Sequence, residues 1–295
     1  MIKQRWFINA ILLVLVSILG LFAFFAPNSQ TPIELPPLTN VQPENVQQIR
    51  IERTDEIPIE LVKNNLNQWS ITTPLELPAN TFRVQQILNL LTTRDYQDMS
   101  AQALPLAEIN LDVPLANVYI DSLAFAFGAS SVFDSTRRYV QFAQKIYLIK
   151  DDIYPVLAGD PLTFVSLSPL GENAKILALQ LPDYQFHLSA GGVWEVTTAL
   201  ENIDKRPDTV NHLIERWQTL QAIEVQNYVE STPEGEIHIT LAEQTQPVTL
   251  QVITQHPDLI LVRPAQGVQY LFPISQTDEL LHLPAKIAEK TPPEA

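Results

Sequence analysis

Two periods of apolar spacing run through this chain. From Val46 onward apolar and polar residues alternate: Ile49 and Ile51, then Ile57, Ile59 and Leu61, then Trp69 and Ile71. Successive side chains of a strand point to opposite faces, so this pattern predicts half-buried antiparallel strands, with turns at 54–56 and 63–68. The spacing then changes. Val84, Ile87, Leu88 and Leu91 fall at i, i+3, i+4 and i+7, one face of a helix, and Asn80 or Thr81 stands where an N-cap belongs. Alternation returns over 117–121, 123–127, 138–142 and 145–149.

The same order then recurs. Strands are predicted over 176–180, 184–188 and 193–197, a helix after Pro207 with Val210, Leu213, Ile214 and Trp217 on one face, and further strands over 236–241, 248–253, 259–262 and 268–272. Trp69-Ser-Ile-Thr72 corresponds to Trp194-Glu-Val-Thr197, and the four apolar helix positions of the first half correspond to those of the second. These matches predict a tandem duplication of an α+β unit, each copy an antiparallel sheet with one main helix laid across it to bury the helix's apolar stripe. The expected segments are a first repeat at 46–150, a connecting segment at 151–173 with short helical pieces, a second repeat at 174–284 and a polar, flexible tail at 285–295.

The start of the chain follows neither period. Trp6 to Ala26 contains no charged residue, Lys3 and Arg5 precede it, and the next Lys or Arg is Arg50. About 20 apolar residues rising ~1.5 Å each match the ~30 Å hydrocarbon core of a bilayer. The Lys/Arg bias predicts a cytoplasmic N-terminus and an extracytoplasmic remainder. A cleaved signal is the competing reading. It fits less well, because the run is long and because cleavage after Ala26 would put Phe24 in a small-residue slot with Pro27 following the cut. The reading is therefore α+β with an N-terminal transmembrane helix (1–26) in a bacterial inner membrane, then a Pro-rich extended spacer (27–45), then two periplasmic repeats.

Composition narrows the function. The 16 Lys and Arg beyond residue 26 face 33 Asp and Glu, leaving the exported part at −17. That charge argues against nucleic acid and against anionic lipid headgroups as ligands. With no cysteine in the chain, disulfides, thiolate catalysis, Cys-ligated zinc and lipoprotein-type acylation are excluded.

The landmarks carry a resemblance. Trp69-Ser-Ile-Thr-Thr-Pro74, Pro78-Ala-Asn80 opening a helix, Asn110-Leu-Asp-Val-Pro114 before a strand, and Arg138-Tyr-Val140 before Ile146-Tyr-Leu148 resemble the bacterial domain of unknown function 4340 family over about residues 46–275. One departure is Asn110, where the family pattern has Gly. The resemblance implies a membrane-anchored protein, in some members encoded beside gliding-motility-type ABC transporters, and it supplies no catalytic residue.

Candidate chemistry is sparse. His187, His212, His238, His256 and His282 form no His-x-x-x-His or His-Glu-x-x-His pattern. Ser130-Ser131 lies in a predicted turn without a neighbouring base, and Asp151-Asp152 and Glu234/Glu236 match no calcium loop. No phosphate loop, dinucleotide fingerprint or nucleophile elbow is present. Neither a cofactor nor a metal is expected. Arg137-Arg138 is the most unusual charged pair in so acidic a chain; it reads as hairpin-edge protection or a local ion pair with Asp134, or as a contact to an acidic partner or ligand. Trp69 and Trp194 read as core residues or as the wall of a sugar or peptide groove. The expected function is a non-enzymatic, membrane-anchored module that binds an envelope protein such as an ABC-transporter component. A small glycan or peptide ligand in the cleft between repeats is the alternative, and a hydrolase of dispersed Ser, Asp and His ranks behind both.

Overall fold

The computed structural model describes residues 13–17, 35–100, 102, 104–242 and 244–286. The chain divides into two units, Met1–Pro36 and Pro37–Ala295. Most of the span read as a membrane anchor lies outside the described residues, and within it residues 13–17 are helical. No helix among the described residues is long and apolar enough to cross a membrane.

The second unit is α+β, built on two antiparallel sheets. In the first half the elements are β1 (Gln48–Arg53), β2 (Ile59–Lys63), β3 (Trp69–Thr73), β4 (Leu77–Pro78), helix α1 (Thr81–Thr92), β5 (Tyr96–Asp98), β6 (Ala116–Ile120), β7 (Leu123–Ser130), β8 (Arg137–Phe142) and β9 (Lys145–Lys150). A connector follows, with helix α2 (Tyr154–Leu157) and a 3₁₀ turn at Pro161–Phe164. The second half contains β10 (Ile176–Leu181), β11 (Tyr184–Leu188), β12 (Trp194–Thr197), helix α3 (Pro207–Gln218), β13 (Glu224–Asn227), β14 (Gly235–Leu241), β15 (Val248–Thr254), β16 (Leu259–Arg263), β17 (Val268–Phe272) and helix α4 (Thr277–Leu281).

Strand order in the first sheet is β4-β3-β2-β1-β6-β7-β8-β9-β5, and in the second β12-β11-β10-β14-β15-β16-β17-β13. With β4 set aside, the two orders are the same, strand for strand, and each main helix occupies the same place in its series. In both sheets the strand after the helix joins the far edge, β5 against β9 and β13 against β17.

The apolar faces anticipated from spacing are the buried ones. Val84, Ile87, Leu88 and Leu91 of α1 and Val210, Leu213, Ile214 and Trp217 of α3 are all buried. Asn80 caps α1, its Oδ1 accepting from the Arg83 amide at 3.3 Å. Pro207 opens α3, where its fixed φ suits the first turn. Just ahead of it the Asp204 carboxylate accepts from the Arg206 amide and guanidinium and from the Thr209 hydroxyl. Those bonds, the Arg206 side chain first, hold the Asp204 carboxyl well below the usual carboxylate range. Asn110, standing where a glycine was expected, adopts φ 52°, a left-handed conformation that asparagine tolerates better than most residues.

One continuous apolar cluster joins both halves through the connector residues Ile153, Val156, Leu157, Phe164, Val165 and Leu170. A smaller cluster of Ile109, Leu111, Tyr139 and Leu148 covers the other face of the first sheet, so β8 and β9 are buried on both sides. The segment read as spacer is docked at its C-terminal end. Leu38 and Thr39 are buried, and their amides donate to Thr93 and Leu91 carbonyls at 3.0 Å each. The tail read from residue 285 begins with a bridge between Ala285 and Ile203; residues 287–295 lie outside the described residues.

Candidate functional site

The connector closes one sheet edge and leaves its counterpart open. In the first sheet β4 lies against β3, pairing Leu77 with Ile71 and Pro78 with Ser70. The connector then covers β4: Ala79 bridges Val165, the Asn80 amide donates to Phe164 O at 2.7 Å, and the Ser166 amide donates to Pro78 O at 2.8 Å. Gly171 comes close enough to this edge that a Cβ would sit 3.2 Å from the Pro78 ring, and its φ of 80° is itself a glycine conformation.

The equivalent strand of the second sheet, β12, pairs with β11 alone, and no strand among the described residues pairs with its outer edge. Its Trp194 and Val196 are half-buried against the core, Glu195 and Thr197 face solvent, and the preceding Val193 is 56% exposed. Trp69 of β3 is nearly enclosed by comparison, at 8% exposure. Both tryptophans therefore face the core, and their exposure differs as their edges do.

A cleft of about 510 Å³ lies where the β2–β3 turn, β4, the end of the connector and the start of β10 meet. Amides dominate it, with Asn64, Asn67, Gln68, Asn173 and Gln244 beside Trp69. Some of these amides are committed to structure. Asn64 Oδ1 accepts from the Leu66 and Gln68 amides, and Gln68 Nε2 donates to Glu172 O at 3.2 Å, tying the turn to the connector.

The Arg137-Arg138 pair divides into two environments. Arg138 is buried, and its guanidinium meets both Asp151 oxygens at 2.7 and 2.9 Å, Ser130 Oγ at 2.9 Å and the Gly128 carbonyl. It also stacks 3.7 Å from the Tyr154 ring centre, joining β8 to the connector. Arg137 bonds the Asp95 carboxylate and lies 3.6 Å from Asp134, the partner anticipated from sequence. Asp134 is held below the usual carboxylate range by the Thr136 hydroxyl and amide, with Arg137 adding to the effect. Ser130 Oγ donates to Asp151 at 3.0 Å, on the same carboxylate that pairs with Arg138.

The histidines are scattered except for two. His212 on α3 and His282 after α4 line one depression of about 700 Å³ together with Asp208, Asp278 and Glu279. That meeting depends on the packing of α3 against α4 and left no trace in sequence spacing. His238 lies 3.3 Å from the Thr249 hydroxyl on the neighbouring strand. No group of three or more His, Asp or Glu side chains suited to a metal occurs among the described residues.

No family model, curated protein or solved structure matches this chain.

Proposed function

We propose that this chain is a membrane-anchored periplasmic module, non-enzymatic, that takes an extended segment of another envelope protein onto the open edge of β12. The observation that carries this reading is the unequal treatment of two equivalent edges: β3 is closed by β4, and β12 is left with its outward backbone groups unpaired by any strand among the described residues. An unpaired edge is a template for strand addition, with backbone bonds supplying affinity and alternate side chains supplying choice of partner. The matching strand orders support a tandem duplication as the origin of the two sheets. The resemblance to the domain of unknown function 4340 family points to an ABC-transporter assembly as the setting. An anchor at 1–26 would raise the local concentration near such a partner, so modest affinity suffices.

The test is crosslinking in intact membranes with a photoreactive residue at Glu195 or Thr197 in the full chain, with Gln185 on the neighbouring strand as comparison. Both β12 positions should capture the same protein. Adjacent strand residues point their N–H groups alternately inward and outward, so of Glu195→Pro and Val196→Pro one removes only an outward donor. The variant that keeps the parent melting temperature should lose the crosslink. If both retain it, the edge is not the contact.

A second reading rests on the amide-rich cleft beside Trp69, whose side chains suit a glycan or short peptide. Isothermal titration with envelope glycan fragments tests it: binding that Asn173→Ala weakens would favour this site over the β12 edge.

A further inference from the structure

The β7–β8 turn carries two of the most exposed apolar side chains among the described residues, Val132 at 88% and Phe133 at 92%. They sit on a rigid base. The buried Ser131 hydroxyl accepts from the Phe133 and Asp134 amides at 3.2 and 3.3 Å, and the Ser131 amide donates to Arg137 O at 2.8 Å. Asp134 Oδ1 in turn accepts from the Thr136 amide and hydroxyl. The strand order makes β15–β16 the equivalent turn of the second sheet, and there the chain reads Gln255-His-Pro-Asp258, with no large apolar side chain. The fold therefore does not require an apolar tip at this position.

We propose that the Val132-Phe133 tip inserts into the interfacial layer of the bilayer to which the chain is anchored. This rests on the anchor reading above, and two observations select a lipid surface as the occupant. The first is where the chain joins the domain. Leu38 bonds to Thr93, which lies two residues before Asp95, and Asp95 holds Arg137 at the base of the turn. The starts of β5 and β8 and the end of β9 share that end of the sheet. Ten residues separate Ala26 from Pro37, a chain reach of no more than about 40 Å at ~3.6 Å each between the span read as an anchor and this end. The second is charge. The exported part carries −17, yet near the tip Arg137 and Arg138 meet Asp95, Asp134 and Asp151. Lys150 pairs with Asp152 there, and Arg94 adjoins Asp95, so the charges at the base of the turn balance, four cations against four anions. A neutral apolar tip suits a zwitterionic headgroup layer, where aromatic side chains partition readily.

The chain has no cysteine, so Phe133→Cys, Val132→Cys and, as control, Asp258→Cys each place one environment-sensitive fluorophore on the full chain in phosphatidylcholine vesicles. Labels at 132 and 133 should show blue-shifted emission and lose intensity when doxyl-labelled lipid is included, while the label at 258 stays water-like. Water-like emission at both tip positions, in protein that still floats with carbonate-washed vesicles, overturns tip insertion alone. Blue-shifted emission without doxyl quenching also overturns it and assigns the tip to a protein contact. Failure of the unlabelled chain to float overturns the anchor reading on which the proposal stands.

Discussion

Trp217→Ala tests the packing of the second main helix, because it removes the largest side chain that is fully enclosed. Trp217 is 0% exposed, and its indole Nε1 donates to the Leu280 carbonyl at 2.8 Å, tying α3 to α4. Truncation of an enclosed tryptophan costs about 3–5 kcal/mol from lost transfer energy and residual cavity. The stranded Leu280 carbonyl adds roughly 1–3 kcal/mol unless water reaches it. Trp217→Phe separates the two contributions: it keeps most of the apolar area and loses the bond, so about 1–3 kcal/mol is expected. Urea unfolding of the full chain should be followed by circular dichroism, since fluorescence would lose one of only four tryptophans. The midpoint should fall in the order parent, Phe, Ala with the slope unchanged. At 2–4 °C per kcal/mol for a domain of this size, the Ala variant should lose on the order of 10 °C in Tm. An unchanged midpoint for Trp217→Ala would refute the burial argument, and equal losses for Ala and Phe would show that the bond alone matters.

Three further outcomes follow from named contacts. Arg138→Ala should cost about 3–5 kcal/mol in chemical denaturation by leaving the Asp151 carboxylate without its cation, whereas Arg137→Ala, whose partners are more exposed, should cost no more than about 1 kcal/mol; equal effects would refute the division between the two arginines. Gly128→Ala should lower Tm, because a Cβ there would stand 2.2 Å from the Ile109 carbonyl oxygen, and either β7 or the turn segment that carries Ile109 would have to move; an unchanged Tm would show that this approach is not tight. Burial pushes the Tyr270 phenol up to about 12, against the opposing pull of Arg263, above the roughly 10 of an unfolded tyrosine. Tyr270 therefore contributes stability that is fully present below about pH 10 and is lost as pH rises from there to about 12, a loss that Tyr270→Phe should remove from the pH–Tm profile.

The legible parts of the fold were those with enough length to show a period. Both main helices declare four of their buried positions by spacing, and β11 and β14 alternate clearly enough to be located to within a residue or two. The short edge strands β5 and β13 declare nothing, because three or four partly exposed residues held by backbone pairing to β9 and β17 carry no hydrophobic pattern. Helix α4 is five residues long, less than two turns, which is too short for a face to emerge. The docking of Leu38 was hidden by its setting, since prolines and polar residues around it read as a spacer. Arg138 misled in a different way. Its neighbours Tyr139 and Val140 are buried too, which breaks the alternation that would have placed a charged residue outside. The signal was present in the hairpin register, which sets Arg138 opposite Ile149 and so within reach of Asp151.

The two halves offer an internal control on what each feature is for. Where both copies keep a feature, as with the core-facing tryptophans or the helix faces, stability of the common unit is explanation enough. Where one copy departs and no buried contact demands it, stability explains nothing, and a surface that meets something else becomes the better account. Two departures meet that standard. The β12 edge lacks the cover that β4 and the connector give β3, and the β7–β8 turn presents Val132 and Phe133 where the equivalent turn is polar. An open edge and an exposed apolar tip each carry a standing risk of aggregation. The occupants proposed above would account for both features, each present in one half only. The edge, with its row of unpaired backbone groups, suits a polypeptide; the tip, small, neutral and beside the point where the chain joins the domain, suits the membrane.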